Sequence, residues 1–133
     1  MKIVRGFDKD TIRDIAKNCG SKSVKSSISF LERMNYLSPD KLVCEVIDDV
    51  GFYGACICKK HLRLYEIAVR EDAHKQGYGK VMMMRMVKLC RQKGLEKITF
   101  RTAKNETAVE FYKKLGAVIT GEKGEDWEME LRV

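Results

Sequence analysis

The segment His74-Lys75-Gln76-Gly77-Tyr78-Gly79-Lys80 constrains this chain more than any other. It follows a β-prone run that ends at Val69 and precedes a long stretch of helix-forming residues closed by Gly94. Two glycines at a strand-to-helix junction let the backbone approach a ligand closely. The first turn of a helix leaves its amides without intrahelical partners, and the helix dipole favours negative charge there. Lys75 and Lys80 add positive charge nearby. The unit is therefore a candidate anion site. It is not a Walker loop, because no Gly-Lys-Ser/Thr follows at the right spacing, and Met82 stands where a dinucleotide fingerprint needs its third glycine. Taken alone, the loop is equally consistent with a glycine-rich helix entry that binds nothing.

The remaining segments follow from periodicity and turn chemistry. Lys2 to Val4 is a short strand. Asp8 caps a helix in which Phe7 staples onto Ile12, with Ile12, Ile15, Ala16 and Cys19 on one face and Gly20 as the stop. A second helix spans about Ser23 to Tyr36, with Val24, Ile28, Leu31 and Met34 as its buried stripe and Pro39 beyond its end. Leu42 to Ile47 and Phe52 to Cys58 form a hairpin around Asp48-Asp49-Val50-Gly51, and Leu62 to Val69 extends the meander. A long helix runs from near Gly77 to Lys93. Lys97 to Arg101 is a strand, Glu106 to Leu115 a helix stopped by Gly116, and Ala117 to Thr120 pairs with Trp127 to Arg132. The order β-α-α-β-β-β-α-β-α-β-β describes an α/β layer architecture with a mixed sheet.

A length of 133 residues fits a single domain over 1–133, and a hydrophobic share of 44% supplies one core. No apolar run approaches the roughly 20 residues that span a bilayer, and no leader precedes the first strand, so the expectation is a cytoplasmic protein without a membrane partner. Five cysteines at irregular spacing argue against a disulfide framework, and His61 and His74 complete no ligand pattern with them, so no metal is expected. The formal charge of +7 is spread along the chain without a run of five or six basic residues. That disfavours a nucleic-acid partner and is compatible with an anionic small ligand.

Several segments together resemble the core of the GNAT N-acetyltransferases. These are Leu64-Tyr65-Glu66-Ile67-Ala68-Val69, the loop from His74 to Lys80, and the stretch from Asn105 to Ala117. The family's phosphate loop reads Gln/Arg-x-x-Gly-x-Gly/Ala, and His74-Lys75-Gln76-Gly77-Tyr78-Gly79 matches it except at His74. Asn105, Tyr112 and Gly116 match the later signature. The resemblance covers about half the chain, from Leu64 to Ala117. It implies a mostly antiparallel central sheet flanked by helices and acetyl-CoA as acetyl donor. It further implies that Ile67, Ala68 and Val69 offer backbone groups to the pantetheine arm. The amides of Lys75, Gln76, Gly77, Tyr78, Gly79 and Lys80 would hold the pyrophosphate, with Asn105 and Tyr112 beside the pantetheine and thioester.

The implied reaction is direct attack of a primary amine on the thioester. A lysine-like amine has a pKa near 10.4, so its free base costs roughly 4.6 kcal/mol to populate at pH 7. A base or water chain must take the proton, and the departing thiolate needs a donor, which the hydroxyl of Tyr112 can supply. Glu66 is the base candidate by position; a solvated or acceptor-contacting acid is the other reading of it. Strand alternation sets Glu66 on the face opposite Ile67. A non-catalytic acyl-CoA-binding module is the alternative function. The amine acceptor is left open by the sequence, as is the choice between monomer and homodimer. Met82, Met83, Met84 and Met86 are expected as core filler, Trp127 as a packed strand residue and Cys90 as an inert core thiol.

Overall fold

The computed structural model describes residues 1–21 and 24–133. Its strands are β1 (Ile3–Arg5), β2 (Leu42–Ile47), β3 (Gly51–Cys58), β4 (His61–Val69), β5 (Lys97–Ala103), β6 (Val118–Lys123) and β7 (Asp126–Arg132). The helices are α1 (Lys9–Lys17), α2 (Val24–Leu37), α3 (Tyr78–Lys93) and α4 (Glu106–Lys114). The strands form one sheet in the order β1-β2-β3-β4-β5-β7-β6. Among the described residues every pairing is antiparallel except β4 with β5. This is the α/β order expected from the sequence, apart from a single 3₁₀ turn at Glu71–Ala73.

The sheet carries one apolar cluster on each face. On one side Leu62, Leu64, Ile98, Phe100, Met129 and Leu131 pack with Met82, Met83 and Met86 of α3 and Tyr112 of α4. On the other, Val46, Phe52 and Ala68 pack with Ile12 and Ile15 of α1 and Val24, Ile28 and Leu31 of α2. No described helix is long and apolar enough to cross a membrane.

Local chemistry explains the boundaries. Asp8 caps α1, accepting from Thr11 N at 3.3 Å. The helix stops at Lys17 and not at Gly20, because Asn18 turns its amide onto the Asp14 carbonyl at 2.8 Å and ends the ladder early. The expected start of α2 at Ser23 lies outside the described residues. Met34 is half-buried, and Met84 faces solvent on α3, so neither is core filler. The α3 helix closes as expected, with Gly94 left-handed and Leu95 N bonded back to Cys90 O at 2.8 Å. In the β2–β3 connection, Asp48 and Asp49 both adopt positive φ and Val50 N bonds back to Ile47 O at 3.0 Å, a tight turn inside a three-residue loop between the paired Ile47 and Gly51.

Candidate active site

The parallel pair opens the sheet. β4 and β5 are in register only at His61 with Lys97, Leu62 with Ile98 and Arg63 with Thr99. Beyond those residues β4 keeps β3 as its neighbour, and β5 keeps β7, but the two no longer bond to each other. The backbone of Ile67, Ala68 and Val69 therefore presents its outer edge to a wedge-shaped gap. A strand edge of this kind pairs readily with an extended, amide-bearing ligand.

A bulge in β4 decides which side chains face the gap. Leu64 pairs with Ala55 and Glu66 with Gly54, so Tyr65 is the extra residue. Leu62 and Leu64 belong to the α3 face, and past the bulge Ile67 and Val69 do so again. Without the bulge Glu66 would have continued the parity of Leu64 and pointed into the α3 core. With it, Tyr65 stacks on Phe30 of α2 at 4.4 Å between ring centroids, and Glu66 hydrogen-bonds Ser27 of the same helix. α2 lies close here because β3 has Gly54, where a Cβ would collide with Leu31 Cδ1.

Glu66 is half-buried and accepts from its neighbour's amide, Ile67 N, at 3.2 Å. Burial raises its pKa, and the Ser27 and Ile67 hydrogen bonds oppose the rise without cancelling it. Tyr112 stands across the gap on α4. Its ring packs on Phe100 at 4.4 Å and meets Phe111 edge-on at 5.1 Å. Burial pushes its phenol up to about 12, and the carboxylate of Glu66 adds to the rise. A phenol so raised is protonated at neutral pH and can donate, and Glu66 is close enough for its charge to act on it.

The loop below the gap has the form of an anion cradle. Lys75 and Gly77 both take positive φ, 64° and 86°. Gly77 occupies the cap position of α3 without any side-chain cap, and the first helical bond runs from Val81 N to Gly77 O at 3.0 Å. The amides of Tyr78, Gly79 and Lys80 thus have no intrahelical acceptor. Lys75 and Lys80 are exposed beside them. His74, which stands where Gln or Arg is usual in the resembling family, bonds the Val69 carbonyl through Nε2 at 2.8 Å and ties the loop to the end of β4. Tyr78 donates to Asp48 at 3.0 Å and ties α3 to the β2–β3 turn.

Two of the expected residues also have structural work. Gly79 packs against α4, since a Cβ there would lie 3.1 Å from Phe111 Cζ. Asn105 is the cap of α4, its carbonyl oxygen accepting from Thr107 N at 2.9 Å and Ala108 N at 3.3 Å. Trp127 is half-buried in β7, with the Lys104 ammonium 4.4 Å from its ring centroid. All five cysteines are free, and burial raises Cys44 to about 12 and Cys56 and Cys90 to about 11, which suppresses thiolate chemistry.

The sequence reasoning also missed pairs too far apart in the chain to be read from spacing. Arg63 grips Glu128 across the face of the gap, one of its two bonds measuring 3.1 Å. Glu45, buried in β2, takes a bidentate pair from Arg85 at 2.8 Å and a 2.6 Å bond from the Tyr53 hydroxyl.

The fold is similar to PaiA N-acetyltransferase from Thermoplasma acidophilum in complex with coenzyme A, at 18% identity, TM-score 0.74 and full coverage of both chains. It is similar to the ribosomal-protein-S18-alanine N-acetyltransferase of Escherichia coli, at 16% identity and TM-score 0.77 over 99% of this chain and 93% of the other. An aminoglycoside 6'-N-acetyltransferase complexed with coenzyme A is similar at 19% identity and TM-score 0.75, over 99% and 97%. No curated protein matches the sequence. At these identities the solved structures speak to fold alone. The family model for the acetyltransferase (GNAT) family matches residues 10–117. That span holds the whole gap, the bulge, the loop and Tyr112, and with it the chain belongs to the GNAT acetyltransferase family.

Proposed function

We propose that this chain is an acetyl-CoA-dependent N-acetyltransferase that transfers acetyl directly to a primary amine, with residues 1–133 forming one catalytic domain. The observation that carries the reading is the placement of Glu66 and Tyr112 at one gap, above an uncapped α3 entrance. Two of the similar structures hold coenzyme A, which supports acetyl-CoA as the donor. Its pyrophosphate would be held by the amides from Lys75 to Lys80, with its pantetheine along Ile67–Val69 and past Asn105.

The residues divide the proton work. Glu66, its pKa raised by burial, takes a proton from the attacking amine directly or through water. The amine nitrogen bonds to the acetyl carbon, the carbon–sulfur bond breaks, and Tyr112 gives its proton to the leaving thiolate. No protein thiol takes part, and the raised cysteine pKa values support that. Five free cysteines suit a reducing cytoplasmic location.

The test is titration calorimetry with acetyl-CoA, followed by free-thiol release with an amine panel. The expected result is saturable binding and amine-dependent thiol release. Binding without transfer to any amine would instead make the chain a non-catalytic acyl-CoA-binding module. No binding would overturn the reading.

A further inference from the structure

The gap opens on two faces of the sheet, and the two differ in charge. One face is roofed by α3 and α4. On the other, α1 and α2 pack chiefly over β2 to β4, leaving β5, β7 and β6 uncovered. There lies a cavity of about 730 Å³ lined by Arg63, Leu64, Tyr65, Arg101, Lys123 and Glu128. Three of these residues are basic and one is acidic. The acid is already neutralised, because Glu128 is held by Arg63. Nearby, Glu122 is held by Lys104. Arg101 alternates with the buried Ile98 and Phe100, so its exposed guanidinium points to this face. Its cross-strand neighbour is Glu128, whose two oxygens are taken by Arg63, and among the described residues Arg101 makes no ion pair within 4 Å. Of the remaining acids here, Asp126 lies opposite Lys123 at the hairpin tip and outside the cavity, and Glu66 is not among the lining residues and is engaged by Ser27 and Ile67 N.

We propose that this cavity is the acceptor site and that Arg101 and Lys123 select an amine carrying a carboxylate close to the reacting nitrogen. The assignment rests on the acetyl-transfer reading above. The cavity adjoins Glu66 through Tyr65, the neighbour it shares the bulge with, so an amine seated there meets the base. An acceptor with several positive charges, such as a polyamine or an aminoglycoside, brings repulsion to a wall whose one lining carboxylate is already paired. A carboxylate on the acceptor gives Arg101 the bidentate partner that Glu128 denies it.

The experiment compares matched acceptors with acetyl-CoA at saturation. The probes are γ-aminobutyrate against its carboxamide, the peptide Ser-Glu-Glu-Ala against Ser-Gln-Gln-Ala, and spermidine. Both turnover and binding to the CoA-loaded protein are measured. The expected result is that at least one acid exceeds its amide by about tenfold or more in kcat/KM, with spermidine poorest. The small-molecule and peptide pairs separate a free amino acid from an acidic chain terminus. Arg101→Gln and Lys123→Glu should each shrink the acid-to-amide ratio severalfold while acetyl-CoA affinity stays unchanged. Two substitutions on different strands guard against a local folding defect. Equal use of acids and amides, preference for spermidine, or failure of every probe to bind protein that holds acetyl-CoA would each overturn the assignment. Loss of acetyl-CoA binding by the unmodified protein would instead overturn the acetyl-transfer reading itself.

Discussion

Gly79 of α3 and Phe111 of α4 lie so close that a Cβ on the glycine would sit 3.1 Å from the phenylalanine Cζ. The contact joins the uncapped entrance of α3 to the helix that carries Tyr112. A side chain at position 79 must therefore push Phe111, and Phe111 packs edge-on against Tyr112. Gly79→Glu accordingly combines two effects, a charge at the loop and a displaced α4. Gly79→Ala isolates the second. It is expected to destabilise by about 1 kcal/mol, with helix propensity partly offsetting overpacking. Phe111→Leu in the same chain should restore much of the loss. Urea denaturation of the single and double variants checks it, and additive losses would mean the two residues are not coupled.

Gly77 offers a cleaner test of the loop. A Cβ there meets nothing within 4 Å, so Gly77→Ala costs only the strain of a φ of 86°. That strain is on the order of 1–2 kcal/mol and is relieved by flattening the turn that holds the amides in place. Acetyl-CoA affinity should fall about tenfold or more while the far-ultraviolet circular dichroism stays native. Unchanged affinity by calorimetry would remove the loop from the site.

The buried carboxylate of β2 makes a third prediction. Burial acts to raise the pKa of Glu45, yet the Arg85 and Tyr53 hydrogen bonds outweigh it and leave the carboxyl below its ordinary value. An acid depressed in the folded state stabilises above its unfolded pKa, and the contribution fades as the pH falls through the folded value. Arg85→Met leaves the charge with the Tyr53 hydroxyl and, as its one cation, the exposed Arg5 at 3.5 Å, and should cost about 3 kcal/mol at pH 7. Glu45→Gln with Arg85→Met should recover part of it. Denaturation curves at pH 7 and pH 3 decide, since the loss should shrink at the lower pH.

Local signals were well expressed in the sequence. Asp8 and Gly94 act as the caps their types suggest, and the glycine loop opens α3 where the pattern put it. Asn18 shows the limit of such rules, because a side chain that reaches back to Asp14 ended α1 before the glycine could. The functional geometry needed more than local chemistry. Glu66 reaches the α2 side of the sheet only because Tyr65 is an extra residue in β4, and nothing in Leu64-Tyr65-Glu66-Ile67 announces a bulge. The cause lies in what packs on it, Phe30 and Ser27 of a helix more than thirty residues earlier. Arg63 and Glu128 likewise meet through sheet order that no spacing encodes.

Glu66 links stability to activity, and the sign is testable. Its folded pKa is raised above the ordinary 4.5, so the native state binds its proton more tightly than the unfolded chain does. Stability from this group is full below the unfolded pKa and is lost as the pH rises through the folded one. Glu66→Gln keeps an oxygen for Ile67 N and Ser27 and removes the charge. The variant should be more stable than the parent at pH 7, with the difference shrinking toward pH 4. Its kcat should fall by on the order of 10²-fold if Glu66 is the base. Thermal denaturation and thiol-release rates at both pH values read the two effects. Higher stability with undiminished turnover would leave Glu66 as a buried acid that contacts the acceptor and no more.

Tyr112 separates packing from chemistry most sharply. Its ring is fixed between Phe100 and Phe111, and both contacts survive in Tyr112→Phe. Burial with the Glu66 charge lifts the phenol to about 12, so the hydroxyl stays protonated and acts on the leaving group as a hydrogen-bond donor. A thiolate leaving acetyl-CoA, with negative charge growing on sulfur in a gap shielded from water, draws on that proton through a hydrogen bond. Removing the hydroxyl deletes the donor and leaves the ring. Tyr112→Phe should therefore keep the fold and acetyl-CoA affinity within about threefold and lower kcat by on the order of 10²-fold or more. The measurement is steady-state thiol release with saturating acceptor, where chemistry limits the rate. A rate within about threefold of the parent there would reduce Tyr112 to a packed aromatic. Replacing the CoA sulfur's burden offers the cross-check: a thioester with a more acidic thiol needs less help. The penalty of Tyr112→Phe should therefore narrow for such a donor and stay constant if the hydroxyl only positions the substrate.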